Sequence, residues 1–179
     1  MPSNPGMAFV VIQHLDPNQP SQLAELLAKT TRMPVQEVRT DTPLAVNHVY
    51  VMPPGVCLAT TGEHLQIEPR GPGPNLPIDF FLKSLAAAKS SNAIGIVLSG
   101  TASDGTLGLK AVKAEGGVTF VQEPSSAKFD GMPRSAVAAG VADFVLTPAE
   151  IAKRLIQLAR HPYVARTPPD HDDAAEDVE

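Results

Sequence analysis

The sequence predicts a doubly wound α/β domain: a mostly parallel sheet with helices on both faces, plus an antiparallel hairpin. Three observations predict it. Short continuous apolar runs with β-branched centres recur along the chain, the pattern of strands buried on both faces. Helical periods separate most of these runs, and such alternation argues right-handed crossovers in one parallel sheet. One stretch departs from this: Val49 to Glu68 places strand patterns around a turn rather than around a helix, which argues a hairpin.

The elements follow in order. Ala8 to Gln13 is the first apolar strand. Pro20 to Thr31 is a helix with Leu23, Leu26 and Leu27 on one face. A strand-rich, turn-rich stretch comes next, in which Val49 to Met52 is a strand. Val56 to Ala59 and His64 to Glu68 flank a turn at Thr60 to Glu63. Arg70 to Pro77 carries Gly or Pro at nearly every position and is a loop. Ile78 to Ser90 is a helix, and Ala93 to Leu98 a second apolar strand. After the small-residue loop Ser99 to Gly105, a helix spans Thr106 to Glu115 and ends at Gly116-Gly117. Val118 to Val121 is a strand. Ser135 to Ala139 opens or forms a short helix after Pro133. Ala142 to Leu146 is the last strand. Thr147-Pro-Ala-Glu150 is a capping box with Pro at the first helical position, launching a helix to about Arg160.

Composition narrows the function classes. With aromatics at 4% and no Trp, the core must be aliphatic. No apolar run approaches the roughly 20 residues that span a bilayer, so no membrane insertion is expected. The N-terminus lacks a basic region leading into an apolar signal segment, which makes the cytoplasm the expected location. The single cysteine, Cys57, forms no internal disulfide. The net charge of −5 lies wholly in residues 166–179, where six acids accompany Arg166. The other 165 residues balance 13 acids with 13 bases, so the body is no electrostatic nucleic-acid binder. Residues 166–179 read as an acidic disordered tail or linker, and residues 1–165 as one domain.

In doubly wound sheets ligands bind beyond the carboxyl ends of the strands. Two such ends carry unusual polar residues: Gln13-His14-Leu-Asp-Pro17 and Leu98-Ser-Gly-Thr-Ala-Ser-Asp104-Gly105. Asp104 accepting from one ring nitrogen of His14 would fix the tautomer and stabilise the imidazolium, leaving the other nitrogen as a general base toward a hydroxyl. Taken alone, His14 reads equally as a loop residue, and Asp104 as an Asx-turn residue or the N-cap of the helix that follows. The histidines and Cys57 lack metal-ligand spacing, and residues 100–108 match neither a P-loop nor a dinucleotide fingerprint, so no cofactor is expected.

Five stretches together resemble the catalytic domain of the chemotaxis protein-glutamate methylesterases, the CheB family. They are Val10-Val-Ile-Gln-His-Leu-Asp-Pro17, Val49-Tyr-Val-Met-Pro-Pro-Gly55, Pro77-Ile-Asp-Phe-Phe81, Ile94-Gly-Ile-Val-Leu-Ser-Gly-Thr-Ala-Ser-Asp-Gly-Thr-Leu-Gly108 and Phe129-Asp-Gly-Met-Pro-Arg-Ser135. They occur in family order over about residues 6 to 160, and the chain looks most like the version fused ahead of a receptor methyltransferase. The resemblance implies a doubly wound domain with a Ser-His-Asp triad. It puts His14 at the general-base position and Asp104 at the orienting-acid position. Backbone N–H groups of the loop holding Thr101 and Ala102 would bind the oxyanion, with Met132 and Arg134 beside the cleft. Arg134 could equally contact an acidic receptor surface or cap a helix. The implied reaction is hydrolysis of glutamate γ-methyl esters on chemoreceptor helices, with deamidation of receptor glutamines as a related activity. Methylated chemoreceptor helices, and a receptor methyltransferase domain, are the implied partners.

The chain also departs from the family pattern. The family nucleophile lies in a Gly-Ala-Ser-x-Gly-Gly motif between a first strand and its helix, and no such motif occurs in these 179 residues. Only Met1 to Met7 precede the His14 strand, so the resemblance implies a domain whose first strand and helix are absent, with little activity as it stands. Ser3, Ser99 and Ser103 lack the strand–elbow–helix setting of a nucleophile. Ala102 stands where fusion-type members usually have Gly, which would stiffen the loop. The alternative expectation is a non-catalytic receptor-binding or regulatory module derived from that domain.

Overall fold

The computed structural model describes residues 2–159 except 72, 74 and 75; the acidic stretch 166–179 and the expected helix end at Arg160 lie outside the described residues. The strands are β1 (Phe9–Val11), β2 (Val35–Glu37), β3 (Asp41–Pro43), β4 (Val49–Val51), β5 (Cys57–Thr61), β6 (His64–Glu68), β7 (Ile94–Val97), β8 (Val118–Gln122) and β9 (Phe144–Leu146). The helices are α1 (Leu23–Ala28), α2 (Pro77–Lys89), α3 (Thr106–Ala114), α4 (Gly131–Ala138) and α5 (Pro148–Ala159).

The apolar runs, joined by the short polar strand β2, form two parallel ladders, in the orders β1-β4-β2 and β7-β8-β9. Phe9 pairs with Val49 and Val11 with Val51, while Ile94 pairs with Val118 and Phe120 with Phe144. Helices cover both faces, as the doubly wound reading requires. One face buries Leu82, Val97, Leu109, Val112, Val121 and Ala136 among α2, α3 and α4. The opposite face rests on α5, whose Ile151 and Leu155 join Phe120, with Phe9, Ile94 and Ile96 packed against them. The resulting core is aliphatic, as the scarcity of aromatics demands.

The antiparallel part is a three-stranded sheet, β3-β6-β5, rather than a bare hairpin. Its turn is tighter than the four residues expected: Gly62 and Glu63 alone reverse the chain, and Gly62 adopts φ 59°, a conformation that costs glycine nothing. Tyr50 is a packing residue with a satisfied polar end. Its hydroxyl donates to the Pro43 carbonyl (3.0 Å) and accepts from the Ala45 N–H (2.8 Å).

Two helices differ from expectation for local reasons. The one expected over 20–31 is confined to Leu23–Ala28, because the Thr30 hydroxyl and N–H both turn back onto the Leu27 carbonyl, each at 2.9 Å. α4 begins at Gly131, ahead of Pro133, which sits in the first turn where a missing N–H breaks no helical bond. Half of the capping box at Thr147 forms: Glu150 reaches back to accept from the Thr147 N–H (2.9 Å), while the Thr147 hydroxyl donates to the same carboxylate (2.7 Å).

Candidate active site

The carboxyl ends of β1 and β7 bring their loops together. His14 follows β1 and Asp104 lies on the loop after β7, and the two side chains meet: His14 Nε2 donates to Asp104 Oδ2 at 2.8 Å. A carboxylate only accepts, so the proton is on Nε2 and the lone pair is on Nδ1. Among the described residues no hydroxyl or thiol hydrogen-bonds to Nδ1. The His14 side chain is 43% exposed, whereas Asp104 is 2% exposed.

Asp104 is held from a third direction that the sequence reading missed. Its Oδ2 also accepts from Ile78 N–H (3.1 Å), and its Oδ1 from Asp79 N–H (2.8 Å). Both amides belong to the first turn of α2, which opens on Pro77 and leaves its N–H groups without helical partners. A carboxylate there satisfies those donors and faces the positive end of the helix dipole. Asp79 in turn accepts from Gly108 N–H (2.7 Å), fastening α2 to α3. Asp104 does not cap its own following helix: the N-cap of α3 is Gly105, at φ 92°, with no side-chain cap. The Asx-turn and N-cap readings of Asp104 therefore give way to a long-range bridge. Pro77-Ile-Asp79 at a helix start was the available signal, but backbone donors carry no residue signature.

The loop between β7 and Asp104 is pinned along its length. Ser99 N–H donates to the buried Gln122 Oε1 (2.8 Å), Gly100 N–H to the Phe129 carbonyl (2.9 Å), and Met132 N–H to the Gly100 carbonyl (2.9 Å). The Ser99 hydroxyl accepts from Phe129 N–H (2.9 Å) and donates to Phe129 O (3.2 Å), so it has a structural role. Gly100 is required by close packing: a Cβ there would lie 2.2 Å from Met132 Sδ. Gln122 and Phe129, both unremarked in the sequence, thus support the loop.

Thr101 and Ala102 are exposed on this loop and line the same cleft as His14, Asp104 and the buried Met132. Ala102 adopts φ 62°, the left-handed conformation that favours glycine. Arg134 does not line the cleft; its side chain is 70% exposed and pairs with Asp130 one turn back. That ion pair holds the Asp130 carboxyl below its ordinary range. Pro53-Pro54-Gly55 forms a turn against the His14 loop, with the Gly55 Cβ position 3.4 Å from Pro17 Cβ. Burial pushes the Cys57 thiol up, which outweighs Arg70 and leaves it a poor nucleophile.

A parallel α/β domain with an imidazole–carboxylate pair at its strand ends has the architecture on which acid–base hydrolysis is built. Comparison with known proteins narrows that class. The sequence model of the CheB methylesterase family matches residues 1–155, and the chain belongs to that family. It is 47% identical over 125 residues to an uncharacterized 104.1 kDa protein of Rhodobacter capsulatus, covering 69% of this chain and 13% of that protein. It is 35% identical over 173 residues to protein-glutamate methylesterase/protein-glutamine glutaminase 2 of Burkholderia lata, covering 90% of this chain and 49% of that one. The chain thus spans half or less of these relatives. The catalytic domain of the Thermotoga maritima CheB methylesterase has a similar structure, with a TM-score of 0.80 and 29% identity over 88% of this chain and 87% of that chain. Among the described residues no helix is long and apolar enough to cross a membrane.

Proposed function

We propose that this chain supplies the general base and orienting acid of a protein-glutamate methylesterase acting on chemoreceptors in the cytoplasm. The observation that carries the reading is the 2.8 Å His14–Asp104 bond, with the carboxylate braced by two α2 amides. In this reading a serine hydroxyl, carried by a segment outside these 179 residues, attacks the ester carbonyl carbon and passes its proton to His14 Nδ1. N–H groups of the loop at Thr101 and Ala102 stabilise the oxyanion; such donors contribute a few kcal/mol. The imidazolium returns the proton to the departing methoxide, releasing methanol and leaving an acyl-enzyme. Water then attacks, gives its proton to Nδ1, and the serine leaves with it, freeing the glutamate. A glutamine side chain follows the same path with ammonia as leaving group, in keeping with the double name of the Burkholderia relative. Methylated receptor helices are the proposed partners, with a receptor methyltransferase domain as a second.

By itself the 179-residue chain should turn over little ester, since removing a triad nucleophile costs about 10⁶ in rate. Methanol release from methylated receptor would be compared for this chain alone and for this chain joined to a family serine segment. Activity is expected only in the joined form and lost there on His14→Ala. Clear turnover by the 179 residues alone would refute the placement of the nucleophile. A second reading, a non-catalytic receptor-binding or regulatory module, draws on the absence of a hydroxyl bonded to His14 Nδ1 among the described residues. Receptor binding by a joined form that releases no methanol would favour it.

A further inference from the structure

We propose that Gln122 is a positioning residue for the reaction: its buried side-chain amide ties the loop after β7 to the sheet and so aims the Thr101 N–H into the cleft. In the esterase reading, on which this rests, that N–H meets the oxyanion.

Gln122 is the last residue of β8 and is 5% exposed. The β7–β8 ladder ends at the Val97–Val121 pair. Beyond it the two strands part, as Glu123 N–H turns to the Leu146 carbonyl of β9 (2.8 Å). Ser99 N–H takes the side-chain carbonyl of Gln122 (2.8 Å) instead of a backbone carbonyl of β8. The other end of the same amide donates to the carbonyl (3.1 Å) and hydroxyl (3.2 Å) of Ser126, in the single turn Pro124–Ser126. That turn is closed on itself, with Ser126 N–H (2.9 Å) and hydroxyl (2.8 Å) both donating to the Glu123 carbonyl. An N–H only donates and a carbonyl only accepts, so these partners leave the amide one orientation. The position calls for an acceptor and a donor on one side chain. A carboxylate lacks the donor, and a thioether lacks the donor and is a weak acceptor.

The tie sets the direction of the next peptide. Gly100 N–H donates to the Phe129 carbonyl and Gly100 C=O accepts from Met132 N–H, each at 2.9 Å. A trans peptide carries its C=O and N–H on opposite sides. With the Gly100 carbonyl turned to α4, the Thr101 N–H of the same peptide is turned away from α4. Among the described residues that N–H has no backbone partner, and Thr101 lines the cleft with His14. Phe129 and Met132 hold the loop to α4 and the segment before it, whereas Gln122 holds it to β8. Without Gln122 the loop can shift with α4 relative to the sheet, and a displacement of about 1 Å can cost about a hundredfold in rate.

Methanol release from methylated receptor by the serine-bearing form tests this, with kcat taken per folded molecule and the folded fraction read by circular dichroism. Gln122→Met keeps the bulk and removes the amide's hydrogen bonds; kcat should fall about 10- to 100-fold with KM within about twofold of wild type. In Gln122→Glu a neutral carboxyl can accept from Ser99 and donate to Ser126, whereas a carboxylate only accepts. Its kcat, divided by that of wild type at the same pH, should therefore fall as pH rises through the pKa of that carboxyl, which burial raises. Ser126→Ala, at an exposed position that spares folding, removes one of the two amide acceptors and should lower kcat about two- to fivefold. A residue that only stabilises the fold would lower Tm and leave the three kcat values and the pH ratio unchanged. That result, or a loss carried by KM, would overturn the inference while wild-type turnover left the esterase reading standing. No methanol from the wild-type serine-bearing form would overturn both.

Discussion

The two halves of the candidate site are built to different standards. Asp104 is buried, receives three hydrogen bonds, and sits on a loop tied at Ser99, Gly100 and Met132. His14 is 43% exposed and makes one bond, to Asp104 itself. The carboxylate is fixed by the fold, and the imidazole is fixed by the carboxylate. Stability and catalysis should therefore separate: the acid matters more to folding and the base more to chemistry.

Substitution makes that separation measurable. In a serine-bearing form, His14→Ala should reduce methanol release by about 10⁶-fold, and Asp104→Asn by about 10⁴-fold. Equal losses would mean that the two act as one rigid unit. In urea unfolding the order should invert. Asp104→Ala leaves the Ile78 and Asp79 amides without an acceptor and should cost about 2–4 kcal/mol, whereas His14→Ala should cost less than about 1 kcal/mol. A stable Asp104→Ala variant would show that water replaces the carboxylate at the α2 N-terminus. Gly100→Ala tests the pinned loop. Its Cβ would meet Met132 Sδ at 2.2 Å, so a loss of about 1–3 kcal/mol from overpacking is expected. The smallest effect runs the other way: Ala102→Gly removes a left-handed alanine and should raise stability by about 1 kcal/mol, read as a higher urea midpoint.

How much of this was legible in the sequence depends on where the information resides. Parallel strands declare themselves in apolar runs such as Phe9-Val-Val11 and Ile94-Gly-Ile-Val97, although β1 is only half-buried rather than buried on both faces as its pattern predicts. The Thr147–Glu150 box is equally local. β2 and β3 carried no such signal. Val35-Gln-Glu37 and Asp41-Thr-Pro43 are short and largely polar, and they are strands only because β4 and β6 present edges to them. The strand-end rule joined His14 to Asp104 across 90 residues. It could not name the Ile78 and Asp79 amides, which any residue but proline would supply. Nor could it assign Gln122, an ordinary strand residue until its side chain is seen to hold Ser99 N–H. The sequence pattern predicts one mostly parallel sheet; among the described residues the six parallel strands form two hydrogen-bonded triplets with a cleft between them.

The anchorage of Asp104 on α2 reaches further than the cleft. α2 is itself moored to the antiparallel sheet, where Ser84 Oγ accepts from Thr60 N–H (2.9 Å) and Lys89 pairs with Glu63 beside the Gly62 turn. The hairpin is thus a strut for the helix, and the helix a bracket for the carboxylate that aims the ring. Alterations at the hairpin tip, which has no chemistry of its own, act on His14 through a lever one helix long.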